Sequence, residues 1–316
     1  MLNRSYKGII VFLFIIILAV IIYFFTFSSP INYPKNSIIN IRDGAGLLEV
    51  SNSLKDKYVI RSPFWFRTTA ILLGGERGLK AGDYYISNRD NAFRVAWRVV
   101  KGKKDVENVK ITIPEGFTNK EISNLFDERF PMFDNDDFLL NAREGYLFPD
   151  TYFVEVSINS SSTIKLLEGN FNKKIEIHKD EIATSTLSFE DLITLASILE
   201  AEAKTVEDRR IIAGIILKRL NQGMPLQVDA TLKYVTGRGS SELTKNDLES
   251  SSPYNSYTNK GFPPTPISNP GIESILAALR PTQTEFLYFL TDNEGNMHYS
   301  KNFEEHKKFK VKYLSD

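Results

Sequence analysis

Two apolar helices in immediate succession, spanning residues 188 to about 220, constrain the fold of this chain more than any other segment. Ser188 suits an N-cap, and Asp191 is favourable in the first turn. Leu192, Leu195, Ala196, Leu199, Ala203 and Val206 then recur at helical spacing and predict one buried stripe. A second helix is expected from about Val206 to Leu220, with Ile211, Ile212, Ile215, Ile216 and Leu220 as its apolar set. Gly223 fits the left-handed position past its end, and Pro225 prevents continuation.

The first helix carries two carboxylates near the edges of its stripe, Glu200 and Glu202, and periodicity alone does not choose between them. Their neighbours do. Glu200 has Lys204 at i+4, the orientation of a surface ion pair, whereas Glu202 has Ile198, Leu199 and Val206 three and four residues away. Glu202 is the better candidate for a desolvated acid, and a carboxyl group held against hydrocarbon keeps its proton to higher pH. On spacing alone, both glutamates read equally as solvated helix-face residues.

Gln227, Asp229 and Thr231 follow in a turn or helix start, where Asp229 also reads as a plain N-cap. The proline-rich segment Pro253 to Gly271 holds Tyr254, Asn255, Tyr257, Thr258 and Asn269. Aromatic faces stack on pyranose rings and amides hydrogen-bond to sugar hydroxyls, so this is a candidate sugar-binding surface as well as an ordinary rigid loop. Other chemistries lack their residues. The three histidines, His178, His298 and His306, have no metal-ligand spacing, and neither a nucleophile elbow nor a phosphate-binding loop is present. No metal and no cofactor is expected. Asp134 to Asp137 lacks the glycine and distal glutamate of a calcium loop and reads as a solvated loop or helix start.

Residues 8–27, GIIVFLFIIILAVIIYFFTF, are uncharged and match the roughly 20 residues that cross a bilayer. Arg4 and Lys7 precede them, which predicts a cytoplasmic N-terminus, a single transmembrane helix and everything beyond it outside the cytoplasm. A cleaved signal peptide fits less well, because the run is long for one and no small-residue cleavage site follows. The absence of cysteine excludes disulfides, thiolate zinc sites and thiol catalysis. Balanced charge, with 39 basic and 39 acidic residues, argues against nucleic acid as a partner.

Beyond a short linker, residues 28–37, strands are expected at Ile38 to Ile41, Asp83 to Ile86 and Val109 to Ile113. Helices are expected near Leu47 to Lys57, Pro63 to Leu73 and Phe93 to Val100. This is the pattern of a small α+β binding or spacer module. Thr118 and Glu121 form a capping box before a helix to Phe130, EGYLFPDTYFV (Glu144 to Val154) reads as the prop of a cleft, and a long helix is expected from about Ser162 to Ala183.

Several of these motifs occur together and in order: YLFPDTY (Tyr146 to Tyr152), ASILEAEA (Ala196 to Ala203), RLNQGMPLQVDATLKY (Arg219 to Tyr234), YNSY (Tyr254 to Tyr257) and GFPPTPISNPG (Gly261 to Gly271). With the closing segment Phe286 to Lys308, they resemble the YceG-like endolytic murein transglycosylase family. The resemblance implies an α+β chain divided into a cytoplasmic N-terminus (1–7), a transmembrane helix (8–27), a linker (28–37), a LysM-like domain (38–114) containing KAGDYYIS, and a mainly helical, lysozyme-like catalytic domain with a small β element (115–316).

It further implies a cell-membrane protein whose extracytoplasmic domain cleaves peptidoglycan between N-acetylmuramic acid and N-acetylglucosamine, ending strand elongation. Peptidoglycan synthases or the elongation or division machinery are its candidate partners. The family's catalytic glutamate falls on Glu202, in agreement with the neighbour reading, and Gln227, Asp229, Thr231, Tyr254, Asn255, Tyr257 and Thr258 are the expected substrate contacts. A lone acid suffices for this chemistry, because the muramic C6 hydroxyl replaces water as nucleophile and closes a 1,6-anhydro ring. A hydrolysing muramidase that uses Asp229, or a non-catalytic peptidoglycan-binding scaffold, are the alternatives.

Overall fold

The computed structural model describes residues 12–314 apart from 19, 21–22, 24–26, 36, 76–77, 87, 105–107 and 240–241. Its chain divides into two compact units, residues 1–109 with 128–132 and 153–158, and residues 110–127, 133–152 and 159–316. The α+β expectation describes both, but the transmembrane helix is a correction. Among the described residues, no helix is long and apolar enough to cross a membrane. Much of the apolar run lies outside the described residues; within it, residues 12–18, Val20 and Tyr23 are helical and exposed. A span needs about 20 consecutive residues in one helix, and among the described residues no helix meets that requirement.

In the first unit, β1 (Ser37–Ile41) pairs antiparallel with β2 (Gly82–Ile86), and α1 (Leu47–Asp56) and α2 (Pro63–Leu72) lie between them in sequence. Alternation puts Ile39, Ile41, Tyr84 and Ile86 on one face, where Val50, Leu54, Phe66 and Val95 complete a core. Local chemistry sets the helix starts. Ser62 accepts from the Trp65 N–H with Pro63 at the first helical position, and Asn91 caps α3 (Ala92–Lys101). The expected third strand, β3 (Asn108–Thr112), pairs instead with β4 (Thr151–Glu155).

The second unit is mainly helical: α4 (Asn119–Asp127), α5 (Asn135–Asn141), α6 (Ser160–Glu176), α7 (Lys179–Ala183), α8 (Phe189–Glu202), α9 (Val206–Asn221), α10 (Asp229–Thr236), α11 (Lys245–Leu248), α12 (Ile272–Leu279) and α13 (Phe303–Leu314), with the hairpin β5 (Tyr288–Thr291) and β6 (Met297–Ser300). The acidic run at 134–137 is a helix start, since Asp134 accepts from the Asp137 N–H at 2.9 Å. The single long helix expected at 162–183 is broken after Glu176 into α6 and α7.

At the centre lies α8. Leu192, Ile193, Leu195, Ala196, Ile198 and Leu199 are all buried, so this helix is enclosed on every side over most of its length. The one-stripe expectation therefore understates its burial, and Val206, 41% exposed, is not part of that core. The helices α9 and α12 pack against it, and the Ile267 N–H donates to Ser197 Oγ at 3.0 Å, pinning the proline-rich loop to the same helix. The helix emerges from the core at its two ends, and its two glutamates sit in the C-terminal turn.

Candidate active site

The end of α8 is fixed by polar contacts. Ala203 leaves helical conformation, and its carbonyl accepts from Arg209 Nε at 3.0 Å, while Thr205 caps α9 through the Asp208 N–H. The Arg209 guanidinium also donates to Glu200 Oε1 at 2.7 Å, and the Gly271 N–H donates to Glu200 Oε2 at 2.9 Å. Glu200 is thus a buried strut, its side chain 6% exposed against 7% for that of Arg209. The expected surface pair with Lys204 is replaced by a partner from the next helix.

Two residues on, Glu202 has no cationic partner among the described residues. Burial and the like charge of Asp229 push its carboxyl group up to about 7, against a smaller opposing effect from the Ala230 N–H at the start of α10. Part of its surface remains open to solvent, because it lies where two grooves meet. One, of about 820 Å³, runs past Gly116, Lys120, Ala230, Lys233 and Ser268. The other, of about 700 Å³, runs past Gln227, Asp229, Tyr257 and Tyr288. Both are lined by Glu202 and Thr291. A proton donor at this junction can reach a bond in the middle of an extended chain lying through both.

Gln227 and Asp229 line the second groove. Gln227 adopts left-handed φ of 53°, which costs energy for a residue with a side chain and is held in place by neighbours. Its N–H donates to the Ser256 carbonyl at 2.9 Å, and its Oε1 accepts from Arg219 Nη2 at 2.6 Å. The Tyr257 hydroxyl donates to Asp229 Oδ1, and burial raises the Tyr257 pKa, so this donor stays protonated.

The remaining expected contacts lie elsewhere or are already used. Thr231 is fully buried and bonds Val228 O and Ser256 Oγ. Asn255 is also fully buried; its Nδ2 donates to Leu248 O and Ser250 O, and its Oδ1 accepts from the Tyr257 N–H. These two polar side chains build the loop rather than face a ligand. Tyr254 lines a third cleft, which shares Thr118, Lys120 and Tyr234 with the first groove, and bonds Thr265 Oγ1 at 2.8 Å, while exposed Thr258 lines neither groove. His298 has a structural role, bonded to Asp292 and stacked on Tyr313.

A second perturbed carboxyl escaped the sequence reading. Burial raises Glu144 to about 7, although it accepts from the Asn119 N–H, Asn269 Nδ2 and the Tyr234 hydroxyl. It lines the cleft that holds Tyr254, of about 690 Å³. Its satisfied hydrogen bonds tie four chain segments together, which makes it a structural hub. The available signal was its place at the head of the aromatic EGYLFPDTY motif. Among the described residues, no group of acidic, histidine or cysteine side chains could hold a metal ion.

The YceG-like family model matches residues 39–312. An endolytic murein transglycosylase of Bacillus subtilis (strain 168) is 33% identical over 306 residues, 88% of this chain and 84% of that protein. One from Streptococcus pneumoniae (strain R6) is 28% identical over 87% of this chain, which spans 58% of that longer relative. Among solved structures, a YceG-like protein from Listeria monocytogenes aligns with a TM-score of 0.59 and 32% identity, covering 86% of this chain and 98% of that one.

Proposed function

The chain belongs to the YceG-like family, and from that premise we propose that it is a peptidoglycan lytic transglycosylase that cleaves within glycan strands, with Glu202 as its general acid. The observation that carries the reading is an unpaired carboxyl group, raised to about 7, at the junction of two grooves. Protonated Glu202 donates to the glycosidic oxygen as positive charge develops at C1 of the muramic residue. The C–O bond breaks and the leaving sugar departs as an alcohol. The Glu202 carboxylate then takes the proton of the C6 hydroxyl, whose oxygen closes onto C1 and gives a 1,6-anhydro end. No water is consumed, and the acid returns to its starting state.

Asp229 serves twice in this scheme. Its negative charge keeps the proton on Glu202, and it faces the developing cation from a position fixed by Tyr257. Gln227 supplies a further dipole to the same groove. Peptidoglycan lies outside the cytoplasmic membrane, so the catalytic unit acts there. The strand–helix–helix–strand order of β1, α1, α2 and β2, with its strands paired antiparallel, supports a LysM-like role for that unit in positioning glycan. Removing residues 38–101 should then weaken glycan-strand binding more than it slows cleavage of short soluble strands; equal binding with and without them would remove that role.

Product analysis tests the main reading. Purified glycan strands incubated with the protein should yield, by mass spectrometry, internal fragments whose ends are lighter by one water than hydrolysed ends. Reducing N-acetylmuramic ends would instead make it a muramidase, with Asp229 activating water. Uncleaved strands that stay bound would make it a scaffold.

A further inference from the structure

The groove that runs from Glu202 past Gln227 is lined by Arg219, His306 and Lys310 as well as by its two carboxylates. Arg219 is 4% exposed and has no carboxylate partner among the described residues. Its two terminal nitrogens donate to the uncharged Leu226 carbonyl and Gln227 Oε1, and its Nε has no partner at all among the described residues. His306 Nδ1 is also buried without a partner there, and it can donate in one tautomer. The two are linked through one ring: the Tyr288 centroid lies 5.0 Å from Arg219 Cζ and 5.2 Å from that of His306. Exposed Lys310 follows one turn later on α13 and lines the same groove.

A desolvated guanidinium without a counter-charge is costly, and buried donors are normally satisfied. An oxyanion in the groove would supply both the charge and the acceptors, in the geometry that arginine recognises best. Mutual repulsion adds to the case, since burial and the positive charges of Lys310 and Arg219 all hold the His306 pKa down.

We propose that Arg219, His306 and Lys310 form a subsite for an anionic oxygen group carried by the substrate, to one side of the bond that is cleaved. The inference rests on the functional reading above, because peptidoglycan offers such groups in two places: carboxylates of the peptide stems, and a diphosphate at the reducing end of a lipid-linked strand. A strand without stems or diphosphate, its muramic lactyl carboxyls capped as neutral amides, would fill the groove but leave the subsite without its counter-charge.

The test measures kcat/KM for wild type, His306→Phe and Lys310→Glu on glycan strands with peptide stems or with the muramic lactyl carboxyls capped as neutral amides, each with and without a reducing-end diphosphate. His306→Phe keeps a ring stacked on Tyr288 while removing the nitrogen, and Lys310→Glu changes an exposed position, so both variants should fold. Wild type should prefer one anionic form, and both variants should reduce that preference by about tenfold, the scale of one charge-assisted hydrogen bond. The form whose advantage disappears identifies the source of the anion. Equal losses on all four substrates, or unchanged preferences, would overturn the subsite while leaving the catalytic reading intact. Should wild type cleave none of them, the functional reading fails, and calorimetric binding of the same strands to the same proteins decides the subsite by itself.

Discussion

Replacing Glu200 by glutamine separates structural from chemical importance at the end of α8. The substitution removes the charge opposite Arg209, whose remaining carboxylate contact is Glu273 at 3.4 Å, itself 59% exposed. Breaking a buried pair by neutralising one partner costs about 3–5 kcal/mol, because the other charge stays desolvated. Glutamine keeps one acceptor for either Arg209 or the Gly271 N–H, which places the expected loss at the low end, about 3 kcal/mol. For a unit of this size, that corresponds to a fall in Tm of about 6–12 °C. Calorimetry or denaturant unfolding of the full chain reads it directly. Cleavage measured well below the lowered Tm should persist, since Glu200 delivers no proton. A Glu200→Gln protein as stable as wild type would refute the strut, and with it the assignment of different roles to the two glutamates.

The rate of cleavage should decline as pH rises through about 7, because the protonated form of Glu202 starts the reaction. Asp229→Asn removes a like charge that holds that pKa up, so the descending limb should move to lower pH; an unmoved limb would mean that another group titrates. Gly214→Ala should destabilise the chain by about 1–3 kcal/mol or more, read as a lower denaturant midpoint. A Cβ there would stand 2.0 Å from the Thr282 carbonyl oxygen, in a segment anchored by the Thr282 N–H to the Arg210 carbonyl.

Features set by near neighbours in the chain were legible in the sequence. The reciprocal bonds of Thr118 and Glu121, the Ser188 cap and the left-handed Gly223 all follow from residues within a few positions of each other. Glu202 was singled out through Ile198 and Leu199, which are buried, and through Val206, which is 41% exposed. Glu200 was misread because its partners, Arg209 and Gly271, are supplied by the next helix and by a loop 71 residues away. Thr231 and Asn255 show the same limit from the other side. A loop rich in amides and hydroxyls satisfies its own backbone first, and sequence does not reveal which groups are left for a ligand. Arg219 gave no signal at all, since its contacts with the Leu226 carbonyl, Gln227 Oε1 and the Tyr288 ring form only in the folded chain.

The central claim, that Glu202 supplies the proton, is tested most directly by the rate at which Glu202→Gln forms 1,6-anhydro ends on purified glycan strands. The rate is measured beside wild type at a temperature where both are folded. Glutamine preserves shape and hydrogen bonding but has no proton to deliver, so the rate should fall by at least about 10²-fold while strand binding is retained. Near-normal turnover by Glu202→Gln would contradict the account and move the search for the acid to another carboxyl group.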